Sequence, residues 1–367
     1  MGNKGKKKTL LIAVATGAGA LVVLGVVWFG IANHAQMGPP QNDMAVDKAT
    51  RNEVIENMIA NLKQHYVFPE KAAAIEMQLR AQMQHGDYDS VTSAEKFAER
   101  LTEAVQRDTH DKHLEVRYFE KATPEASSNQ DGSPEEKAAE LADQQLRNFG
   151  FETVGRLKSN IGYIDLHAFG RPQQTVERIA AAMTLLGDTK ALIIDLRKCD
   201  GGDPETVMLF ASYLYEKRTH LNDIYWRDEN RTEERWTSDT VPGKKYGEAR
   251  KVYLLTSEDT FSAGEDFAYA LKNNGRATLI GETTGGGAHP GSPRRLSAHF
   301  MMFVPNGRSI SPVTHADWEG TGVTPDIKVS AKNALNVAQI KILKILIAAE
   351  PDPDTIKRMQ DRIAVLE

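Results

Sequence analysis

Two different spacings of apolar residues divide the chain. From Asp47 to about Gln106 they recur every three or four positions. In EVIENMIANLKQHY, Val54, Ile55, Met58, Ile59 and Leu62 share one helical face, and in SAEKFAERLTEAVQ, Phe97, Leu101 and Val105 repeat the arrangement. This pattern predicts a small helical subdomain over residues 47–120. Residues 121–148 are charged and poor in bulky apolar groups, which predicts a mobile insert with at most one solvated helix. After Phe149 short apolar runs take over: Asn160 to Leu166, Ala191 to Leu196, Lys251 to Ser257, Ala277 to Gly281 and Phe300 to Pro305. They read as buried strands, with helical patterns at Thr175 to Leu186, Pro204 to Tyr215 and Ala263 to Asn273 between several of them. The expectation is an α/β layered core over 149–350, closed by a helix at about Asn333 to Ala348 and followed by a tail over 351–367.

The start of the chain reads differently. Lys4, Lys6, Lys7 and Lys8 precede an uncharged run from Thr9 to Ile31, about the 20 residues a helix needs to cross hydrocarbon. The following IANHAQMG has Asn33 two positions before Ala35, a poor signal-cleavage site, so residues 1–32 read as a basic cytoplasmic tip and a retained transmembrane anchor. Residues 33–46, with paired prolines, read as a linker. The remainder is expected on the extracytoplasmic side as a single-pass membrane protein. A cleaved signal with a soluble product is the alternative.

Composition narrows the partners. Across 367 residues, 45 Lys and Arg face 50 Asp and Glu, and no long basic run occurs beyond the N-terminus, so nucleic acid is not expected as a partner. The single cysteine, Cys199, excludes an internal disulfide framework. The oligomeric state is not legible.

Four motifs carry candidate chemistry. In DLRKCDGGDPETV a buried strand runs into a helix through Gly201 and Gly202, which allow a tight turn and expose amides to a ligand or a developing anion; a plain strand-to-helix turn would use them equally well. It is neither a dinucleotide fingerprint nor a phosphate loop. In TSEDTFSAGEDF, Ser262 opens a helix and forms a capping-box pattern with Glu265. Its Oγ and the Ala263 amide would sit at the positive helix end, a geometry suited to acyl transfer, although the sequence is not a Gly-x-Ser-x-Gly elbow. In QRDTHDKHLEVRY, His110 and His113 flank Asp111; a metal site would need a third ligand that is not evident, whereas His113 beside an alternating segment could serve as a base. In WEGTGVTPDI, Glu319 is either a solvated loop acid or a group that orients an imidazole. Cys199 competes weakly as a nucleophile, since Lys198 and Asp200 do not clearly activate it.

Taken in order, DKHLEVRY, DLRKCDGG, TFSAGEDFAYAL with GRATLIGETTGGGAHPG, and WEGTGVTPDI resemble the tail-specific, or carboxyl-terminal processing, serine peptidase family. The likeness runs from about Val54 to Ala338, and is greatest to the branch with the interphotoreceptor retinoid-binding protein modules and the tricorn protease core. It implies a crotonase-like (ClpP-like) core of spiralling strand-helix units with an N-terminal helical subdomain. It further implies Ser262 as nucleophile, His113 as general base and Glu319 as the acid behind it. The Ala263 amide and an amide of Gly201 or Gly202 would form the oxyanion hole. His289 would be a possible cleft residue. No cofactor or metal is implied, and the substrate would be a peptide or protein.

Departures from the family pattern are informative. The Ser-Lys members place lysine where this chain has Gly287, tricorn-like members place serine where Lys112 stands, and the usual asparagine after Asp-Leu-Arg is Cys199. The insert is also too short for a PDZ domain of about ninety residues. The retinoid-binding relatives suggest an alternative function, a non-enzymatic carrier of apolar ligands.

Overall fold

The computed structural model describes residues 42–123 and 134–367. The expected membrane anchor and most of the linker lie outside the described residues. Among the described residues no helix is long and apolar enough to cross a membrane.

The N-terminal part is built from α1 (Lys48–His65), α2 (Pro69–His85), α3 (Ala94–Thr109) and β1 (Glu115–Tyr118). Local signals set its helix ends. Asp47 caps α1 by accepting from the Thr50 amide, Pro69 opens α2, Gly86 closes it in a left-handed conformation, and Ser93 caps α3 through Lys96 N–H. These helices do not make a closed bundle. Their buried faces, including Val54, Leu62, Phe97 and Leu101, share one core with Leu296, Phe300, Met302 and Val304 from the far end of the chain.

The insert contributes α4 (Pro134–Leu146); residues 124–133 lie outside the described set. The core then runs β2 (Phe151–Leu157), β3 (Ile161–Leu166), α5 (Pro172–Leu185), β4 (Ala191–Asp195), α6 (Pro204–Ser212), β5 (Asp223–Trp226), β6 (Arg231–Glu233), β7 (Val252–Thr256), α7 (Ala263–Asn273) and β8 (Ala277–Gly281). It continues through β9 (Gly291–Arg295), β10 (Phe300–Pro305), β11 (Gly307–Ile310), β12 (Ile327–Lys328), α8 (Ala331–Ala349) and α9 (Pro353–Leu366). The chain has a mixed α/β fold.

The main sheet has the order β12-β8-β7-β4-β3-β2, parallel except for the antiparallel β2-β3 pair. Its central strands are apolar on both faces because both are covered. Leu192, Ile194 and Leu254 pack with Ile179, Phe210 and Phe267 of α5, α6 and α7. Their neighbours Ile193, Tyr253 and Leu255 pack with Ala334, Ala338 and Ile342 of α8. A second sheet, β1-β10-β9, joins the N-terminal helices to the core, with Glu115 opposite Phe303. The residues expected as a tail instead form α9, whose Met359, Ile363 and Leu366 pack on α8; Asp352 caps it and Pro353 starts it.

Candidate active site

The parallel neighbours β4 and β7 end side by side, and their following turns are stitched together. Phe261 N–H donates to Cys199 O at 2.8 Å, Thr260 Oγ1 to Leu196 O at 2.7 Å, and Ser257 Oγ to Arg197 O. This brings the Gly201–Gly202 turn against Ser262. A Cβ at Gly201 would stand 2.8 Å from Ser262 Cβ and 3.4 Å from the Ala263 nitrogen. With φ at +125°, Gly201 also occupies backbone space open to glycine.

Ser262 has φ 50° and ψ −118°. For a residue with a Cβ this is strained, at a cost on the order of 1–3 kcal/mol, and it occurs at a sharp strand-to-helix turn at the N-terminus of α7. Its amide donates to Glu265 Oε2 at 3.0 Å, one arm of the capping box. Among the hydrogen bonds of the described residues, the amides of Gly202 and Ala263 donate none. Two main-chain donors thus lie uncommitted near a half-exposed serine.

Glu265 fixes the other side. It is fully buried, and it accepts from Ser262 N–H, from Thr284 Oγ1, and from the amides of Gly286 and Gly287 at 2.7 Å each. Burial pushes its carboxyl up to about 7, against the pull of those donors. Four donors leave no acceptor for a carboxyl proton, so the carboxylate is the form this arrangement holds. Gly285 N–H donates to Thr260 O and Lys112 Nζ to Gly285 O, fastening the glycine-rich loop between the serine turn and the histidine turn. Lys112, where tricorn-like relatives carry serine, is a strap rather than a bridge between His113 and Glu319.

His113 sits in the turn between α3 and β1, 4 % exposed. Its ring lies between Phe261, with centroids 4.7 Å apart, and Phe303, 5.7 Å away. It therefore packs against the residue that precedes the serine. No hydrogen bond joins its ring to Ser262 Oγ among the described residues, and its Nδ1 is buried without a partner. Burial holds His113 down at about 4, the Asp111 charge opposing and His289 assisting, so the imidazole is neutral through the physiological range. Gly287 makes room for this ring: a Cβ there would lie 2.2 Å from Phe261 Cζ and 2.7 Å from His113 Cε1. A lysine there would have to displace the Phe261 ring, the His113 ring or both.

Glu319 takes a different place from the one the resemblance implies. Its Oε2 accepts from the Ala288 amide at 2.6 Å and lies 3.3 Å from His289 Nδ1. His289 in turn meets Asp111 Oδ2 at 2.9 Å, and Tyr66 Oη donates to the same oxygen at 3.2 Å. Burial, and then the Asp111 charge, push Glu319 up to about 10, so it is protonated at neutral pH. Burial also works against the Asp111 charge, but the His289 hydrogen bond and the two imidazoles outweigh it and keep Asp111 below the usual carboxylate range. Asp111, His289 and Glu319 offer three ligand-type atoms within 4.8 Å of one another. They are the group among the described residues with the composition to hold a divalent ion, and a hydrogen bond already joins His289 to Asp111.

His110 is exposed and closes α3 in a left-handed conformation. Cys199 is fully buried, a Cβ on Gly264 would lie 3.0 Å from its sulfur, and burial pushes its thiol well up. It is a packing residue at the base of the glycine turn. Tyr66 and Asp111 escaped sequence reasoning as site residues. The only signal was the Asp-x-His spacing, because the partners that define them lie up to 178 residues away.

Comparison with known proteins agrees with the motifs. The model of peptidase family S41 matches residues 160–329, and that of the N-terminal domain of S41 peptidases in eukaryotic interphotoreceptor retinoid-binding protein matches residues 45–149. Carboxyl-terminal-processing peptidase 2 of the Arabidopsis thaliana chloroplast is 30% identical over 47% of this chain and 32% of its own. The carboxyl-terminal-processing protease of Synechocystis is 30% identical over 46% of this chain and 37% of its own. The chain thus spans about a third of the length of these relatives. Among solved structures, a lipoprotein from Streptococcus agalactiae aligns over 83% of this chain and 97% of its own, with a TM-score of 0.54 and 14% identity. Mature CPAF aligns over 83% and 99%, with a TM-score of 0.51 and 12% identity. These structures share the fold. The strand-helix core and the helical part before it are each matched by a model from one family, and this chain belongs to peptidase family S41, a family of serine-type peptidases.

Proposed function

We propose that this chain hydrolyses peptide bonds through a Ser262 acyl-enzyme, with His113 as general base, and that it works outside the cytoplasm, anchored by residues 9–31. The observation that carries the reading is the strained backbone of Ser262 at the start of α7. A cap would not need φ 50°, whereas a nucleophile gains from it a hydroxyl held clear of its own helix. Ser262 Oγ attacks the scissile carbonyl carbon while its proton passes to His113, neutral and so able to accept it. The carbonyl oxygen becomes an oxyanion facing the amides of Ala263 and of the Gly201–Gly202 turn. Collapse of this intermediate expels the amine with the proton from His113, and water then attacks the acyl ester by the same route. Glu319 stands behind the imidazoles, through His289. Gly287 in the lysine position supports a histidine base over a Ser-Lys dyad.

The test is hydrolysis of denatured casein by the purified chain, its Ser262→Ala variant and its His113→Ala variant. Cleavage by wild type that falls by orders of magnitude in both variants supports the proposal. Equal cleavage by wild type and Ser262→Ala overturns it, as does a wild type that cleaves nothing while binding a fluorescent fatty acid or retinoid as tightly as its Ser262→Ala variant, the behaviour of a carrier.

A further inference from the structure

We infer that Asp111 is the residue that orients His113, in the place the resemblance gives to Glu319, and that Tyr66 and His289 hold Asp111 for that task. The inference rests on the reading of His113 as the base. His113 Nδ1 is buried without a hydrogen-bond partner, a costly state for a polar atom. The carboxylate nearest to it is Asp111, whose Oδ1 lies 4.0 Å from Nδ1. The same Oδ1 accepts the backbone N–H of His113 at 3.1 Å, so its position is tied to the histidine's own backbone. A hydrogen bond between them requires the two atoms to approach by about 1 Å.

The other oxygen is already committed. Oδ2 accepts from Tyr66 Oη and meets His289 Nδ1, which leaves Oδ1 facing His113. His289 is itself held, buried edge-on to Phe68 with ring centroids 5.1 Å apart. Asp111 is thus a fully buried carboxylate clamped through one oxygen by Tyr66 and His289, with the other turned to His113, whose backbone N–H it accepts. Glu319 has no such line to His113, because its contacts end at Ala288 and His289. Position points the same way: an imidazolium forming on His113 is stabilised by the carboxylate beside it, and that carboxylate is Asp111.

The proton accounting follows. His113 donates Nδ1–H to Asp111 Oδ1, which leaves the Nε2 lone pair for the Ser262 hydroxyl proton. Asp111 accepts no proton and stabilises the imidazolium while it exists.

The test is the rate of labelling of the full chain by a fluorophosphonate, in which the Ser262 Oγ–P bond forms, fluoride leaves and the serine proton goes to His113. Asp111→Asn is expected to lower the maximal labelling rate by about 100-fold or more with the probe's half-saturating concentration unchanged, while Glu319→Gln lowers it by less than about tenfold. An Asp111→Asn rate equal to wild type overturns the inference, as does a loss confined to half-saturation or a larger loss in Glu319→Gln than in Asp111→Asn. Should Asp111→Asn not fold, the nitrogen resonances of His113 in the wild type decide. A neutral ring protonated on Nδ1 supports the inference, and one protonated on Nε2 overturns it. Failure of the serine reading itself would be distinct: wild type and Ser262→Ala would then label alike, whatever the histidine tautomer.

Discussion

Gly287→Ala is a small change with a large expected effect. The added methyl would stand 2.2 and 2.5 Å from two carbons of the Phe261 ring and 2.7 Å from His113 Cε1, where carbon atoms rest at about 3.5–4.0 Å. Relief requires a ring to move by about 1 Å or more, because the glycine backbone is pinned through its amide to Glu265 and its carbonyl to Trp318 Nε1. Overpacking of this kind costs about 1–3 kcal/mol. A shift of about 1 Å in a catalytic group costs on the order of 100-fold in rate. The assay pairs urea denaturation with fluorophosphonate labelling: the variant should lose stability in that range and label at about a hundredth of the wild-type rate while still folded. Wild-type labelling with a measurable loss of stability would show that the His113 ring does not need its observed position, and would refute the steric reasoning.

Two further outcomes follow from the same site. Since burial holds His113 down at about 4, the labelling rate should stay high at pH 5, where a base of that strength is about 90% neutral and an ordinary histidine about 3%. The loss of function is centred on the folded-state value of about 4, whereas the associated loss of stability, since that value lies below the unfolded one, spreads over the fall in pH from about 6.5 toward 4; a half-loss of labelling at pH 6 or above that persists in Glu265→Gln would contradict it. Glu265→Gln itself replaces one accepting oxygen with an N–H₂ group that faces two donors, leaving them unpaired in a buried site, so urea denaturation should show a loss of about 2–6 kcal/mol. A loss below about 1 kcal/mol would mean that the carboxylate does not organise the glycine loop.

The legible parts of the fold were those whose partners are near in sequence. Strands β8 and β10 and helix α7 lie where the apolar spacing places them, because continuous apolar runs and a capping serine are local signals. The strand β9, GSPRR, has no strand-like texture; it exists because the backbone of β10 pairs with it at the sheet edge, where Pro293 is tolerated. The N-terminal helices announced their apolar faces but not what covers them, since Phe300, Met302 and Val304 arrive from some 200 residues onward. Helix α9, in residues expected as a tail, carries local signals of its own: Asp352, Pro353 and the spacing Ile356, Met359, Ile363, Leu366 are a start signal and a helical face. At the site, Ser262, Ala263 and the glycine pair were readable as a turn and a helix start. The attachment of Glu319 to His289, and the burial of Asp111 between two histidines, depend on loops that only the assembled sheets bring together.

The most direct test of the central claim is peptide mapping by mass spectrometry of the fluorophosphonate-treated full chain. One adduct is expected, on Ser262, absent when His113 is replaced by alanine. An adduct on another residue, or none at all on a folded wild-type chain, would contradict it.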